Sequence, residues 1–299
     1  MGRKKNIFCF VHFDLDGVVS YLTTVWAHPT KDVMYKAIGG YNIREEVTNW
    51  LLNNNFEDYD KIFFLDLDVT KAADLIDNEN VFIIDHHKTH ADNKYAYKKA
   101  KCIVKEYSSA CLLAYKVFKK LYNILFTEEQ KKLIIYGNDY DSYTLNFIES
   151  SMLNAIFWNT QKSFESFIET YKSGYRDFTP QQLCIYKIYK NDLQTVTSKL
   201  NVFRGIYADT DGECRVVVAT FANKFINEVA DYIIDKYTPD VVLIINMNTK
   251  RVSFRRPRGG TMKLDIFASE IAEGGGHEYS AGGFLTDNFM DFTKQLKPI

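Results

Sequence analysis

Ile7-Phe-Cys-Phe-Val11 runs into His12-Phe-Asp14-Leu-Asp16-Gly17, Lys61-Ile-Phe-Phe-Leu65 into Asp66-Leu-Asp68, and Val81-Phe-Ile-Ile84 into Asp85-His86-His87. A fourth apolar run, Leu133-Ile-Ile-Tyr136, leads into Gly137-Asn-Asp139-Tyr-Asp141. Short runs without polar interruption suit parallel strands covered on both faces, with the end of a helix as the alternative for the fourth. Helix-like segments lie between them: Val18 to Trp26, Arg44 to Asn53, Thr70 to Asp77, and Ser108 to Tyr122, the last with Ser108 and Ser109 as candidate N-caps. Strands alternating with helices predict an α/β domain on a parallel sheet, where ligands gather beyond the carboxyl ends of the strands.

Outward from this core the pattern changes. Residues 163–200 are charged and Tyr-rich, and Leu183, Tyr186, Tyr189, Leu193 and Val196 recur at helical spacing. The C-terminal part resumes β/α character, with strand-like Val216-Val-Val-Ala219, Val241-Val-Leu-Ile-Ile245 and Arg251-Val-Ser-Phe-Arg255. The division expected is an N-terminal parallel-sheet metal-binding domain (1–160), a helical connector (161–201) and a smaller C-terminal α/β substrate-binding domain (202–299).

Asp and His at several strand ends imply carboxylates and imidazoles converging in space. Such groups repel and raise one another's pKa unless a cation sits among them. Each motif alone has a plainer reading: Asp-x-Asp-Gly as a capped loop, DHH as a solvated turn that leaves His87 and His90 on the surface, Gly-Gly-Gly-His as a flexible loop. Their arrival together, each after a separate apolar run, favours a two-metal site. Asp/His ligation without thiolates suits Mn²⁺, with Mg²⁺ as the alternative. A metal pair of this kind stabilises both the attacking water and the leaving oxygen of a phosphoryl displacement.

Composition narrows the classes. With 37 Lys plus Arg against 38 Asp plus Glu, the formal charge is −1, which gives no global attraction to long nucleic acid. Cys9, Cys102, Cys111, Cys184 and Cys214 never form a CxxC pair, which argues against a disulfide framework and a structural zinc site. The apolar run near the start is interrupted at His12 and Asp14, so no signal-peptide core is read there, and no stretch approaches the length of a membrane span. A cytoplasmic protein with no membrane association is expected.

With these residues in place, the chain resembles the DHH phosphoesterase superfamily, in particular oligoribonuclease-like and RecJ-like members that carry the DHH-associated GGGH domain. His12-x-Asp14-x-Asp16-Gly17 is similar to the first motif, Asp66 to the second, Asp85-His86-His87 to the third and Asp141 to the fourth. Ser253-Phe-Arg255, Leu264 to Ala272, and Gly274-Gly-Gly-His277 resemble the C-terminal domain. The resemblance implies that His12 and Asp14 hold one metal and Asp16 the other, that Asp66 bridges them, and that His86 and Asp141 complete the ligands of the second metal. It implies that Asp85 orients a histidine and that His87 serves catalysis at the substrate phosphate. It also implies that Arg255, Gly275, Gly276 and His277 bind substrate, the glycines by letting backbone come close to it. Many members place the first-motif His four residues before the first Asp, where this chain has Phe10.

The activity this implies is metal-dependent hydrolysis of phosphodiester or phosphomonoester bonds in short oligonucleotides or small nucleotides. Two alternatives stay open: a RecJ-like single-strand exonuclease on longer nucleic acid, and a non-catalytic nucleotide-binding protein. A homodimer is compatible with this reading. Aromatic residues make up 15% of the chain, and the sequence does not single out which of them stack on bases.

Overall fold

In the computed structural model, residues 6–39, 42–106, 108–208 and 212–299 are described, apart from the side chains of Lys94 and His277. The chain divides into two compact units, Met1–Tyr186 and Lys187–Ile299.

The first unit runs β1 (Asn6–His12), α1 (Leu15–Ala27), β2 (Val33–Ile38), α2 (Ile43–Leu51), β3 (Tyr59–Leu65), α3 (Ala73–Ile76), β4 (Val81–Asp85), α4 (Lys88–Asp92), β5 (Lys101–Val104), α5 (Ala110–Tyr122), α6 (Glu128–Asp141), α7 (Ile148–Asn159) and α8 (Ser163–Tyr171). Its sheet has the order β2-β1-β3-β4-β5, and every pairing is parallel. Ile7, Cys9 and Val11 pack on one face with α1, α5 and α6, whereas Phe8 and Phe10 pack on the other with Val47 and Trp50 of α2. That alternation explains why the strands read as unbroken apolar runs: both faces are covered. Burying a side chain such as Phe64 contributes about 1.5–3 kcal/mol.

Registry then places the chemistry. Val11 pairs with Leu65, Leu65 with Ile84, and Asp85 with Val104. In a parallel sheet this brings His12, Asp66 and Asp85 to one edge, side by side on adjacent strands. The run Leu133–Tyr136 is helical, lying inside α6, so its strand reading is corrected. A capping box at Thr127 and Gln130 starts that helix, and Leu133 and Ile134 face the core.

The helix α9 (Pro180–Thr197) carries the boundary between the units. The second unit continues with β6 (Val202–Ala208), β7 (Cys214–Phe221), α10 (Ile226–Tyr237), β8 (Val241–Asn246), β9 (Arg251–Arg255), α11 (Leu264–Ala272), β10 (Gly275–His277), β11 (Ser280–Phe284), α12 (Asp287–Thr293) and β12 (Lys297–Pro298). Its sheet has the order β10-β11-β9-β8-β7-β6-β12, with β7 and β8 parallel and the other pairings antiparallel. The Gly-Gly-Gly-His segment is therefore not a loop: Gly275–His277 is a short strand hairpinned onto β11. Among the described residues, no helix is long and apolar enough to cross a membrane.

Candidate metal centre

The joint between β1 and α1 is built by its acidic residues. Asp14 is the N-cap of α1, and its Oδ1 accepts from the Gly17 amide at 2.8 Å. Gly17 is required by space: a Cβ there would lie 2.0 Å from the His12 carbonyl oxygen. Asp16 is buried, and its two oxygens accept from the amides of Ala110 at 2.7 Å and Cys111 at 2.9 Å, the start of α5. A carboxylate at a helix N-terminus meets unpaired donors and the positive end of the macrodipole. Ser109 caps the same helix.

Asp66 follows β3 in the left-handed region, with φ of 58°, a conformation Asp tolerates better than most residues. This turn aims its carboxylate between two groups. His12 Nδ1 lies 3.6 Å from Oδ2, and His86 Nε2 lies 3.1 Å from Oδ1. His12 is also 2.6 Å from Asp14 Oδ2, and His86 is 3.7 Å from Asp141 Oδ2. The result is two groups whose ligand-type atoms lie within 4.8 Å of one another: His12, Asp14 and Asp66, and Asp16, His86 and Asp141. All six of the predicted ligands are brought together. A third group, Asp66, Asp85, His86 and His87, overlaps these. There, however, Asp85 is fully buried and spends one oxygen on His87 Nδ1 and the other on His90 Nδ1, each at 2.7 Å.

The electrostatics record the crowding. Burial, then the charge of Asp66, pushes Asp16 up to about 7. Burial and the Asp16 charge raise Asp141 well above the ordinary carboxylate range. Burial alone would lower the imidazoles, but Asp14 lifts His12, and Asp66 with Asp141 lifts His86, each to about 11. Burial would raise Asp66, yet hydrogen bonds from His12 and His86 hold it far below its usual value. Protons thus balance the clustered carboxylates, a task for which a divalent cation is the natural substitute. The donor set fits a hard or borderline cation, since burial keeps the neighbouring Cys111 thiol protonated rather than a thiolate ligand.

His90 is fully buried, not on the surface. Its Nδ1 meets Asp85 and its Nε2 meets the Tyr97 hydroxyl at 3.0 Å. Nothing local in the sequence announced this, because Tyr97 is placed by the chain's return toward β5. Asp139 stands apart from the ligand groups. Its carboxylate accepts from Thr144 Oγ1, the Asn146 and Phe147 amides and Ser150 Oγ, closing the loop from α6 to α7. Asp68 also turns away, accepting from the Thr70 amide and hydroxyl and from Thr89.

The remaining predicted residues lie in the second unit. Arg255 Nε donates to Asn227 Oδ1 at 3.0 Å and Nη1 to the Phe254 carbonyl at 2.9 Å, contacts within its own unit. A Cβ on Gly276 would lie 2.7 Å from Ala281 Cα, so close approach there is used by the hairpin itself, whereas Gly275 has open space beside it. The side chain of His277 lies outside the described residues.

No curated protein sequence matches the chain. RecJ in complex with Mn²⁺ from Thermus thermophilus is similar in fold, with TM-score 0.62 and 13% identity over 97% of this chain and 51% of that one, so the chain spans about half of it. The pGpG-specific phosphodiesterase PggH from Vibrio cholerae has TM-score 0.60 and 11% identity over 97% of this chain and 96% of that one. The DHH domain of a member of a family of ribosomal proteins has TM-score 0.63 and 14% identity over 98% of this chain and 88% of that one. The profile described as DHH family, N-terminal domain, matches residues 6–157, the span that holds all three groups of metal-type ligands, and the chain belongs to the DHH family.

Proposed function

We propose that the chain is a metal-dependent phosphoesterase that hydrolyses phosphodiester or phosphomonoester bonds of short oligonucleotides or small nucleotides. The observation that carries this reading is Asp66, whose two oxygens face His86 and His12 from the midpoint of two ligand groups. His12, Asp14 and Asp66 would hold one cation, and Asp66, Asp16, His86 and Asp141 the other. When bound, such a pair supplies an acidified water and neutralises charge on the phosphate, and Mn²⁺ is the first candidate.

The chain's own residues do the rest. Asp85 fixes His87 through Nδ1, so the ring exchanges a proton at Nε2. Burial would lower His87, but the hydrogen bond and charge of Asp85 raise it above its ordinary value, which favours the protonated ring. It therefore suits donation to the leaving oxygen. His90 and Tyr97 hold the far side of Asp85 and keep that ring oriented. Kinship in fold to RecJ and to a pGpG phosphodiesterase supports a nucleotide substrate.

The test is a panel of mono-, di- and longer oligonucleotides incubated with Mn²⁺ or Mg²⁺. Asp66→Asn and His86→Gln are expected to abolish metal-dependent hydrolysis while the fold survives. Full activity in either variant removes the proposed centre. A preference rising with chain length, with steep salt sensitivity, would replace the short-substrate reading by a processive exonuclease.

A further inference from the structure

We propose that Phe13 and Trp158 form a stacking corner for a nucleobase of the substrate whose phosphate lies at the Asp/His centre. This rests on the function proposed above. Phe13 stands between His12 and Asp14, and its ring lies on two fully buried rings, Phe157 at 5.8 Å and Phe164 at 5.9 Å. Trp158 stands edge-on to Phe13, 5.9 Å away at 62°. The aromatic core breaks the surface here: Phe13 is 38% and Trp158 53% exposed, while the rings beneath them are almost fully buried.

The corner is preset. Trp158 Nε1–H donates to Asn154 Oδ1 at 3.1 Å, which satisfies the indole's polar edge and fixes its rotamer. Phe157 and Phe164 support Phe13 from below, leaving exposed aromatic surface at two mutually steep angles. One ring can take the face of a planar base and the other its edge, the offset and edge-to-face geometries that aromatic groups prefer.

A base rather than a protein surface fits this corner on two counts. Phe13 Cα is about 3.8 Å along the chain from the Cα atoms of both His12 and Asp14. A nucleotide whose phosphate meets the cations held at His12 and Asp14 therefore has to reach only one residue along the chain to lay its base on Phe13, and it joins those two chemistries in one molecule. Second, a whole Phe or Trp side chain presents about 150–250 Å². Two partly exposed rings therefore fall well short of the roughly 800 Å² per partner of a stable protein interface.

The experiment measures binding apart from turnover. The whole protein with Mn²⁺ is titrated with a slowly cleaved phosphorothioate dinucleotide and with its abasic counterpart, read by tryptophan fluorescence and calorimetry. The dinucleotide is expected to quench fluorescence and bind more tightly than the abasic molecule. Trp158→Ala should remove the quenching, and Phe13→Ala should weaken dinucleotide binding by about tenfold or more, the range of a lost base stack. Phe13→Tyr, which keeps the ring, should retain affinity and so exclude misfolding as the cause. Equal affinity of the wild type for both molecules, or undiminished dinucleotide binding by Phe13→Ala, overturns the proposal. If base-dependent binding persists without Mn²⁺-dependent hydrolysis, the corner stands and the phosphoesterase reading fails. If hydrolysis proceeds without base dependence, only the corner fails.

Discussion

Replacing Asp139 by Ala is the sharpest test of how the loop behind Asp141 is held. The carboxylate is buried and accepts four hydrogen bonds: from Thr144 Oγ1 at 2.7 Å, the Asn146 amide at 2.8 Å, the Phe147 amide at 3.1 Å and Ser150 Oγ at 2.5 Å. The hydroxyls can rotate toward other acceptors, since Ser150 already meets the Phe147 carbonyl. The two amides lose their partner at the start of α7. A buried donor left unsatisfied costs about 1–3 kcal/mol, so the expected total is about 3–5 kcal/mol once the lost charge-assisted bonds are included. Urea unfolding followed by tryptophan fluorescence measures it cleanly, because Trp26, Trp50 and Trp158 are the chain's only tryptophans and all belong to the first unit. At an m value of about 3 kcal/mol/M the midpoint should fall by about 1–1.7 M. A fall of less than about 0.3 M, roughly 1 kcal/mol at that slope, would refute the claim that this carboxylate organises the loop.

Two further outcomes follow from particular residues. His90, despite burial, is raised to about 9 by Asp85, so its contribution is complete below the unfolded-state value of about 6.5 and is lost as pH rises through about 9. Urea midpoints between pH 6 and 10 should therefore decline more in the wild type than in His90→Gln, and parallel curves would contradict the pairing. In the hairpin of the second unit, Gly275→Ala should cost little, whereas Gly274→Ala, whose Cβ would meet the Gly282 carbonyl at 2.1 Å, should strongly destabilise that unit. Matched circular dichroism melts of the two variants would show the difference.

The parts of the fold most legible in the sequence were those set by burial on both sides. β1, β3 and β4 announced themselves as unbroken apolar runs, and the acidic residues after them mark one sheet edge because the pairing is parallel. β2, at the sheet edge and only partly buried, carried no such signal. Leu133–Tyr136 misled because a helix that buries neighbouring residues can show a local run like a strand's, although Thr127 and Gln130 already spelled a helix start. Within the site, the candidate ligands were visible as residue types in order along the chain. What held them was not: His90 and Tyr97 on Asp85, and the first amides of α5 on Asp16, depend on contacts across the sequence.

The grip of α5 on Asp16 ties ligand occupancy to a helix. Both oxygens of that carboxylate are already committed to the Ala110 and Cys111 amides. Any cation drawn to Asp16 must share its electron density with those donors, so filling the centre tugs at the first turn of α5. The amide protons of Ala110 and Cys111 then become internal gauges of the centre. Their hydrogen-exchange rates and NMR shifts should report its filling without reference to any substrate.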